Sequence, residues 1–262
     1  YFANGGVIRR IVVEPGNPDK IIIASSSGII YSSNATSITP TWNVGTLSGN
    51  PLIDPAFRGM EFNNADPDIV YASGTDIYRS DDGGITWSST TGFGTGLDWA
   101  SLLSGFNFTP LRINLATDPS NSNYIYAYVM GNGRMFLFRY DESTALWTQI
   151  LTDQNNDYSQ SYMAISVDPH NPNMVYWGNT IVKKANVSLV NPSVIDLYFY
   201  QYSNTGGIYV DIHALVFDPI KNELFVGHHG GISKHILVNN SWTFANVGIC
   251  NNVIWSFDDN EI

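Results

Sequence analysis

The sequence is poorest in cysteine. Cys250 is the single one among 262 residues, so no internal disulfide can form, and the lone thiol reads as a small hydrophobe of the core. Basic residues are scarce too: 12 Lys+Arg stand against 23 Asp+Glu, a net charge of −11. Phosphate binding needs a basic surface, so nucleic acid is excluded as a partner. Only 13% of residues are charged, yet no apolar run reaches spanning length, which excludes membrane insertion by a helix. The opening YFANGGVIRR lacks a charged region followed by an apolar core, so no signal peptide is read there. No segment has a convincing helical period. No Gly-rich phosphate loop lies between a strand and a helix, and no short Cys/His framework exists, so neither cofactor nor metal is expected.

What is abundant is glycine, asparagine, serine and threonine, with aromatics at 13%. That composition suits many short strands joined by polar turns. A unit of about fifty residues recurs. It runs as a short apolar strand, an Asp/Glu-Pro turn, a second apolar strand ending in a small residue, a third strand, a turn and a tryptophan. Copies close near Trp42, Trp87, Trp147 and Trp242, and the fourth copy lacks the closing tryptophan. Matching positions are Ile23, Tyr71, Tyr126, Tyr176 and Phe225, with separations of 48, 55, 50 and 49. In the Asp-Pro-x-Asn-Pro turn, proline halts the strand and Asp or Asn closes the reversal on nearby backbone. Runs such as Ile21-Ile22-Ile23 and Leu215-Val216-Phe217 suit strands covered on both faces. The pattern predicts an all-β, single-domain β-propeller over residues 1–262, with four-stranded blades. It predicts five full repeats plus partial blades at both ends, the last opening at Val253. Because the chain starts and stops within the pattern, a mature or excised piece of a longer protein is expected.

The stretch YRSDDGGITW, residues 78–87, is the best-defined local motif. Gly83 and Gly84 can supply positive φ to a tight reversal, and Asp82 can accept hydrogen bonds from its own turn. Ser80, Asp82, Gly84, Thr86 and Trp87 match the Ser-x-Asp-x-Gly-x-Thr-Trp pattern of an Asp-box. With the repeated Asp-Pro-x-Asn-Pro turn and DIHALVFDPxxNELFVGHHGGISK, they make the chain resemble the BNR/Asp-box β-propeller superfamily. That superfamily includes sortilin-type propellers, oligoxyloglucan-type glycoside hydrolases, sialidases and many secreted bacterial surface proteins. The resemblance implies a structural role for the box and a secreted or cell-surface (bacterial) location. His228 and His229 stand where the family usually has Asn-Asp.

A glycoside hydrolase needs two carboxylates flanking the scissile bond. In the oligoxyloglucan type one comes from an Asp-Gly-Gly turn of the opening blade. The matching turn here is Ser25-Ser26-Ser27-Gly28, which has no acid. Asp76 and Asp98 are the remaining catalytic candidates, and nothing in the sequence pairs them. Arginines can clamp a carboxylate bidentately. Arg9, Arg58 and His213 fall two residues before the first apolar position of an inner strand, and Arg112 is one step off. These four are the candidate ligand-binding residues, alternatively pairing with neighbouring acids. Asp211 and His213 could pair and fix the opening of their blade. The expected function is a non-catalytic binding or scaffold module for a glycan or protein ligand. The alternative is an oligoxyloglucan-type glycoside hydrolase.

Overall fold

The computed structural model describes residues 6–54, 56–91, 99–103, 109–131, 133–153, 162–197 and 210–245. The protein is all-β, of the β-propeller class, with five blades built on four-stranded antiparallel meanders. The partial blades expected at the two ends, and Cys250, lie outside the described residues. Contacts divide the chain into two compact units: residues 1–117 with 121–154, and residues 118–120 with 155–262.

The first unit holds three blades. Blade 1 is β1 (Ile8–Glu14), β2 (Asn17–Ser25), β3 (Gly28–Ser32) and β4 (Asn43–Val44). A small hairpin follows, β5 (Thr46–Leu47) and β6 (Asn50–Pro51). Blade 2 is β7 (Gly59–Phe62), β8 (Val70–Ser73), β9 (Ile77–Ser80) and β10 (Thr86–Ser89). The hairpin widens this sheet to six strands, because β5 pairs in parallel with β10 through Thr86–Thr46 and Trp87–Leu47. One helical turn, α1 (Trp99–Leu102), precedes blade 3. Blade 3 is β11 (Arg112–Thr117), β12 (Tyr124–Gly131), β13 (Arg134–Asp141) and β14 (Leu146–Asp153).

Strands rich in β-branched and aromatic residues are buried on both faces in β8, β12 and the Met174–Gly178 strand, whereas in β1 and the Ile212–Asp218 strand the apolar runs alternate, with Ile11, Val13 and Val216 exposed. Ile22, Ala24 and Ile29 of blade 1 meet Met60, Val70, Ala72 and Trp87 of blade 2 in one core. Tyr71 and Ile77 of blade 2 meet Ile113, Val129, Phe136 and Phe138 of blade 3 in the next. Trp99 stacks on Phe138 with centroids 4.7 Å apart and meets Trp147 edge-on at 5.4 Å. Ser73 Oγ also ties blades 2 and 3 by donating to Ile113 O at 2.7 Å in a fully buried position.

The second unit holds two blades. Blade 4 is β15 (Ala164–Val167), β16 (Met174–Gly178), β17 (Val182–Asn186) and β18 (Ile195–Asp196). Blade 5 is β19 (Ile212–Asp218), β20 (Glu223–His228), β21 (Gly231–Ile236) and β22 (Ser241–Phe244). Their shared core joins Ala164, Tyr176 and Val182 to Ile212, Leu215, Phe217, Leu224 and Val226. Tyr71, Tyr126, Tyr176 and Phe225 occupy one ladder position throughout, opposite Glu61, Ala116, Ser166 and Val216.

Candidate functional site

The Ser80–Trp87 turn is held by a dense set of its own hydrogen bonds. Asp82 Oδ1 accepts from Ile85 N at 3.1 Å and Thr86 N at 2.8 Å, and its Oδ2 accepts from Thr86 Oγ1 at 2.6 Å. Ser80 Oγ donates to Asp82 Oδ1 at 2.8 Å and accepts from Gly84 N at 2.8 Å. Gly83 and Gly84 adopt φ of 68° and 93°. Trp87 Nε1 donates to Gly84 O at 2.9 Å, and its ring is buried in the core of blades 1 and 2. Burial opposes the Asp82 charge, but the bonds from Thr86, Ser80 and Ile85 outweigh it and hold the carboxyl below its ordinary value. Gly83 N also donates to Asp68 O at 2.8 Å and Ile85 O accepts from Thr46 N at 2.9 Å, which tie the turn to its neighbours.

Of the two acids expected for hydrolysis, Asp76 is also committed locally. Asp76 sits in the β8–β9 turn. Its Oδ1 accepts from Ile77 N and Thr91 Oγ1, and its Oδ2 from Ser89 Oγ at 2.7 Å. Asp54, which sequence reading did not select, is buried beside it. Asp54 Oδ1 accepts from Ala56 N at 2.9 Å, and Oδ2 from Thr75 N at 2.8 Å, Thr75 Oγ1 at 2.9 Å and Tyr78 OH at 3.3 Å. Burial first, and then the charges of Asp54 and Asp76, push the Tyr78 phenol well above its usual range. The Asp54–Asp76 pair therefore organises a turn around Tyr78. Asp98 lies outside the described residues.

Three of the four expected ligand-binding residues belong to the first unit. Arg9 lies at a β-bulge, where the β1–β2 register slips between Ile8 and Arg10. Arg58 immediately precedes β7, and its N–H donates to Ser73 O at 2.9 Å. Arg112 opens β11 opposite Met130 in unbroken register, with Nε donating to Asn114 Oδ1 at 3.2 Å. The strands they begin are neighbours: Arg10 Nη2 of β1 reaches Glu61 Oε1 of β7 at 2.7 Å, and the Ser73 hydroxyl beside β7 reaches β11. Bulges re-aim a side chain out of the ladder. Arg9 is placed in that way, whereas Arg112 is held by the ladder itself.

His213 belongs to the second unit and also sits in a bulge, between Ile212 and Ala214. A ring cluster surrounds it. The His213 and His229 rings stack with centroids 4.9 Å apart and an interplanar angle of 30°. Tyr162 meets both edge-on, at 5.2 Å and 5.0 Å. His229 Nδ1 lies 2.8 Å from Asp211 Oδ2, so Asp211 engages His229 in addition to opening its blade. Asp211 has φ of 68°, a left-handed conformation that costs a non-glycine residue energy, and its N–H donates to Thr180 O at 3.2 Å. Tyr162 had a sequence signal: it stands four residues before Ser166, as Arg112 stands four before Ala116, in equivalent ladder positions.

The neighbouring His228 is different in kind. It is buried, its Nδ1 accepts from Gly230 N at 3.0 Å, and its Nε2 lies 2.8 Å from Ser233 Oγ. Nδ1 as acceptor leaves the proton on Nε2, so Nε2–H donates to Ser233. Burial first, then the nearby His213 and His229, lowers this imidazole to about 4. His228 thus does the work of a turn Asn or Asp. Among the described residues no group of three or more His, Cys, Asp or Glu is arranged to hold a metal ion, and no helix is long and apolar enough to cross a membrane.

No family model and no curated protein matches the chain. Solved structures do resemble it. An ancestral GH74 enzyme superposes with a TM-score of 0.66 at 15% identity, over 94% of this chain and 32% of that one. The GH74 enzyme of Niastella koreensis gives 0.61 at 20% identity, over 89% and 37%. A chain of the nidogen/laminin complex gives 0.59 at 11% identity, over 91% and 79%. The chain thus spans about a third of the length of these two GH74 enzymes. At such identities the likeness establishes the fold, a β-propeller, which enzymes and partner-binding proteins share.

Proposed function

We propose that the protein is a non-catalytic, secreted or cell-surface binding propeller of the BNR/Asp-box type, taking a glycan or protein ligand. One observation carries the reading. The described candidate acids, Asp54 and Asp76, are consumed in a turn of their own blade, while the blade-opening positions carry Arg9, Arg58 and Arg112 in the first unit and, separately, Tyr162 and His213 in the second. Guanidinium, imidazole and phenol groups at strand ends suit recognition of polar or anionic groups. They do not supply the acid and base of glycoside hydrolysis. The likeness to a nidogen/laminin complex chain is in keeping with a partner-binding role.

The likeness to two GH74 enzymes favours a second reading, a glycoside hydrolase of the oligoxyloglucan type. A glycan-array screen beside a reducing-sugar release assay on the same polysaccharides separates the two. Binding without release is expected. Release would overturn the binding reading, and Asp76→Asn and Asp98→Asn would then locate the activity.

A further inference from the structure

We infer that the outer end of the seam between blades 4 and 5 is a docking groove for an extended acidic peptide, with Lys184 receiving a carboxylate between Ile195 and Trp242. The inference rests on the binding reading above and makes its ligand a protein.

The groove follows from two facing rungs, because residues opposite one another on neighbouring strands share a face of the sheet. On blade 4 the ladders align Ser166, Tyr176, Lys184 and Ile195 across β15 to β18. On blade 5 they align Phe217, Leu224, His235 and Trp242 across β19 to β22. Tyr176 and Phe217 meet edge-on at 5.1 Å, so the rungs face each other and run outward together. Their inner part, with Tyr176, Phe217 and Leu224, is apolar core. Their outer part sets Lys184 and Ile195 on one side against His235 and Trp242 on the other.

Lys184 is the charge of this groove. It is half-buried, with Nζ 5.4 Å from the centre of the Tyr176 ring. Lys20 and Lys234 reach carboxylates at 3.4 Å and 3.0 Å, whereas Lys184 makes no hydrogen bond and no ion pair among the described residues. Burial lowers its pKa, and the charge of Asp168 opposes that only in part. Asp168 is itself buried, and its Oδ1 accepts from His170 N at 2.9 Å and Asn171 N at 3.3 Å. An ammonium drawn out of water in this way gains from a hydrogen-bonded anion. His235 brings no second charge. Its ring is buried against Trp242, with centroids 4.2 Å apart and planes 9° apart, and its Nε2–H donates to Asn240 Oδ1 at 2.9 Å. Burial lowers its pKa, the bond to Asn240 opposes that, and the Lys184 charge lowers it further.

The walls select a peptide. A sugar stacks on an open aromatic face, and one face of Trp242 is taken by His235. What is exposed here is aliphatic: Ile195 at 49% and Val194 before it at 37%. Trp242 is partly exposed, and its N–H makes no hydrogen bond among the described residues. The bordering strands β18 and β22 are the outermost of their sheets, so each has an edge without a partner strand in its own sheet. Such an edge takes up an extended main chain, while pockets beside it read alternate side chains.

The test is an array of nonapeptides, each with one Glu between aliphatic residues and each beside a counterpart with Gln in its place, probed with the whole chain. The tightest is then titrated by calorimetry. Glu peptides are expected to bind at least about tenfold more tightly than their Gln counterparts. Lys184→Met should lower that affinity about tenfold and Lys184→Arg should largely retain it, whereas Ile195→Asp, at an exposed position, should lower it similarly without touching the cation. The indole N–H resonance of Trp242, identified by its loss in W242F, should shift when the Glu peptide is added. Equal binding of Glu and Gln peptides, an unmoved Trp242 resonance, or unchanged affinity in both K184M and I195D overturns the inference and leaves the binding reading standing. A chondroitin sulfate hexasaccharide that binds through Lys184 more tightly than any peptide overturns the peptide assignment. A silent peptide array beside positive glycan signals does the same, whereas silence of both arrays removes both readings.

Discussion

His228 concentrates the chemistry of one turn in a single side chain. Its bonds require a neutral ring, and its folded value of about 4 lies below the ordinary 6.5 because of burial and the adjacent imidazoles. Between those two values the unfolded chain binds a proton that the folded chain does not. Stability is therefore full above pH 6.5 and is lost as pH falls towards 4, by up to about 3 kcal/mol. His228→Asn can accept from Gly230 N through its amide oxygen and cannot titrate. Urea unfolding at pH 7 and pH 4.5 should show a smaller acid loss in the variant than in the parent. An unchanged loss would place the acid sensitivity elsewhere. Asp82 is the opposite case, a carboxyl held below its usual value by donors from its own turn. Asp82→Ala leaves the N–H groups of Ile85 and Thr86 without their acceptor, and at pH 7 should cost about 2 kcal/mol. Asp82→Asn should recover part of that, because its amide oxygen still accepts.

The blade is the element in which local and long-range demands meet. Gly84 has φ of 93°, and a Cβ there would lie 2.7 Å from Ile22 Cδ1 in the core of blades 1 and 2. Gly84→Ala should therefore destabilise by about 2–3 kcal/mol through backbone strain and overpacking together. Ser73→Ala should cost about 1–2 kcal/mol, because it leaves Ile113 O without a buried donor. Denaturant titration checks both, and a cost below 0.5 kcal/mol for Ser73→Ala would mean that blades 2 and 3 are held by their apolar core alone. Much of the blade was readable before the structure. The tyrosines at 71, 126 and 176 mark one ladder position because a covered strand repeats its contacts from blade to blade. Asp82, Gly84 and Trp87 announced their turn because its bonds are local in sequence. The β5–β6 hairpin was not readable, since its partner β10 lies forty residues on and two-residue strands have no period. The Asp211–His229 pair was missed for a similar reason. A bulge at His213 breaks the alternation from which side-chain directions are argued.

At the scale of the whole molecule the net charge of −11 sets how the protein responds to salt. Two electrostatic effects compete. The ion pairs Arg10–Glu61, Lys20–Glu14, Arg79–Glu142 and Lys234–Glu223 have separations of 2.7, 3.4, 2.8 and 3.0 Å. Such contacts are far shorter than the screening length, which is about 30 Å at 0.01 M and about 8 Å at 0.15 M ionic strength, so added salt weakens them little. An exposed pair such as Arg10–Glu61 is worth about 0–1 kcal/mol in any case. Repulsion among the excess carboxylates acts over longer distances, and it is this term that salt removes. Raising sodium chloride from 0.01 M to 0.15 M at pH 7 should therefore raise the calorimetric unfolding midpoint by about 2–4 °C. A midpoint that falls with salt would mean that short-range pairs, and not the excess of acids, govern the electrostatic contribution to stability.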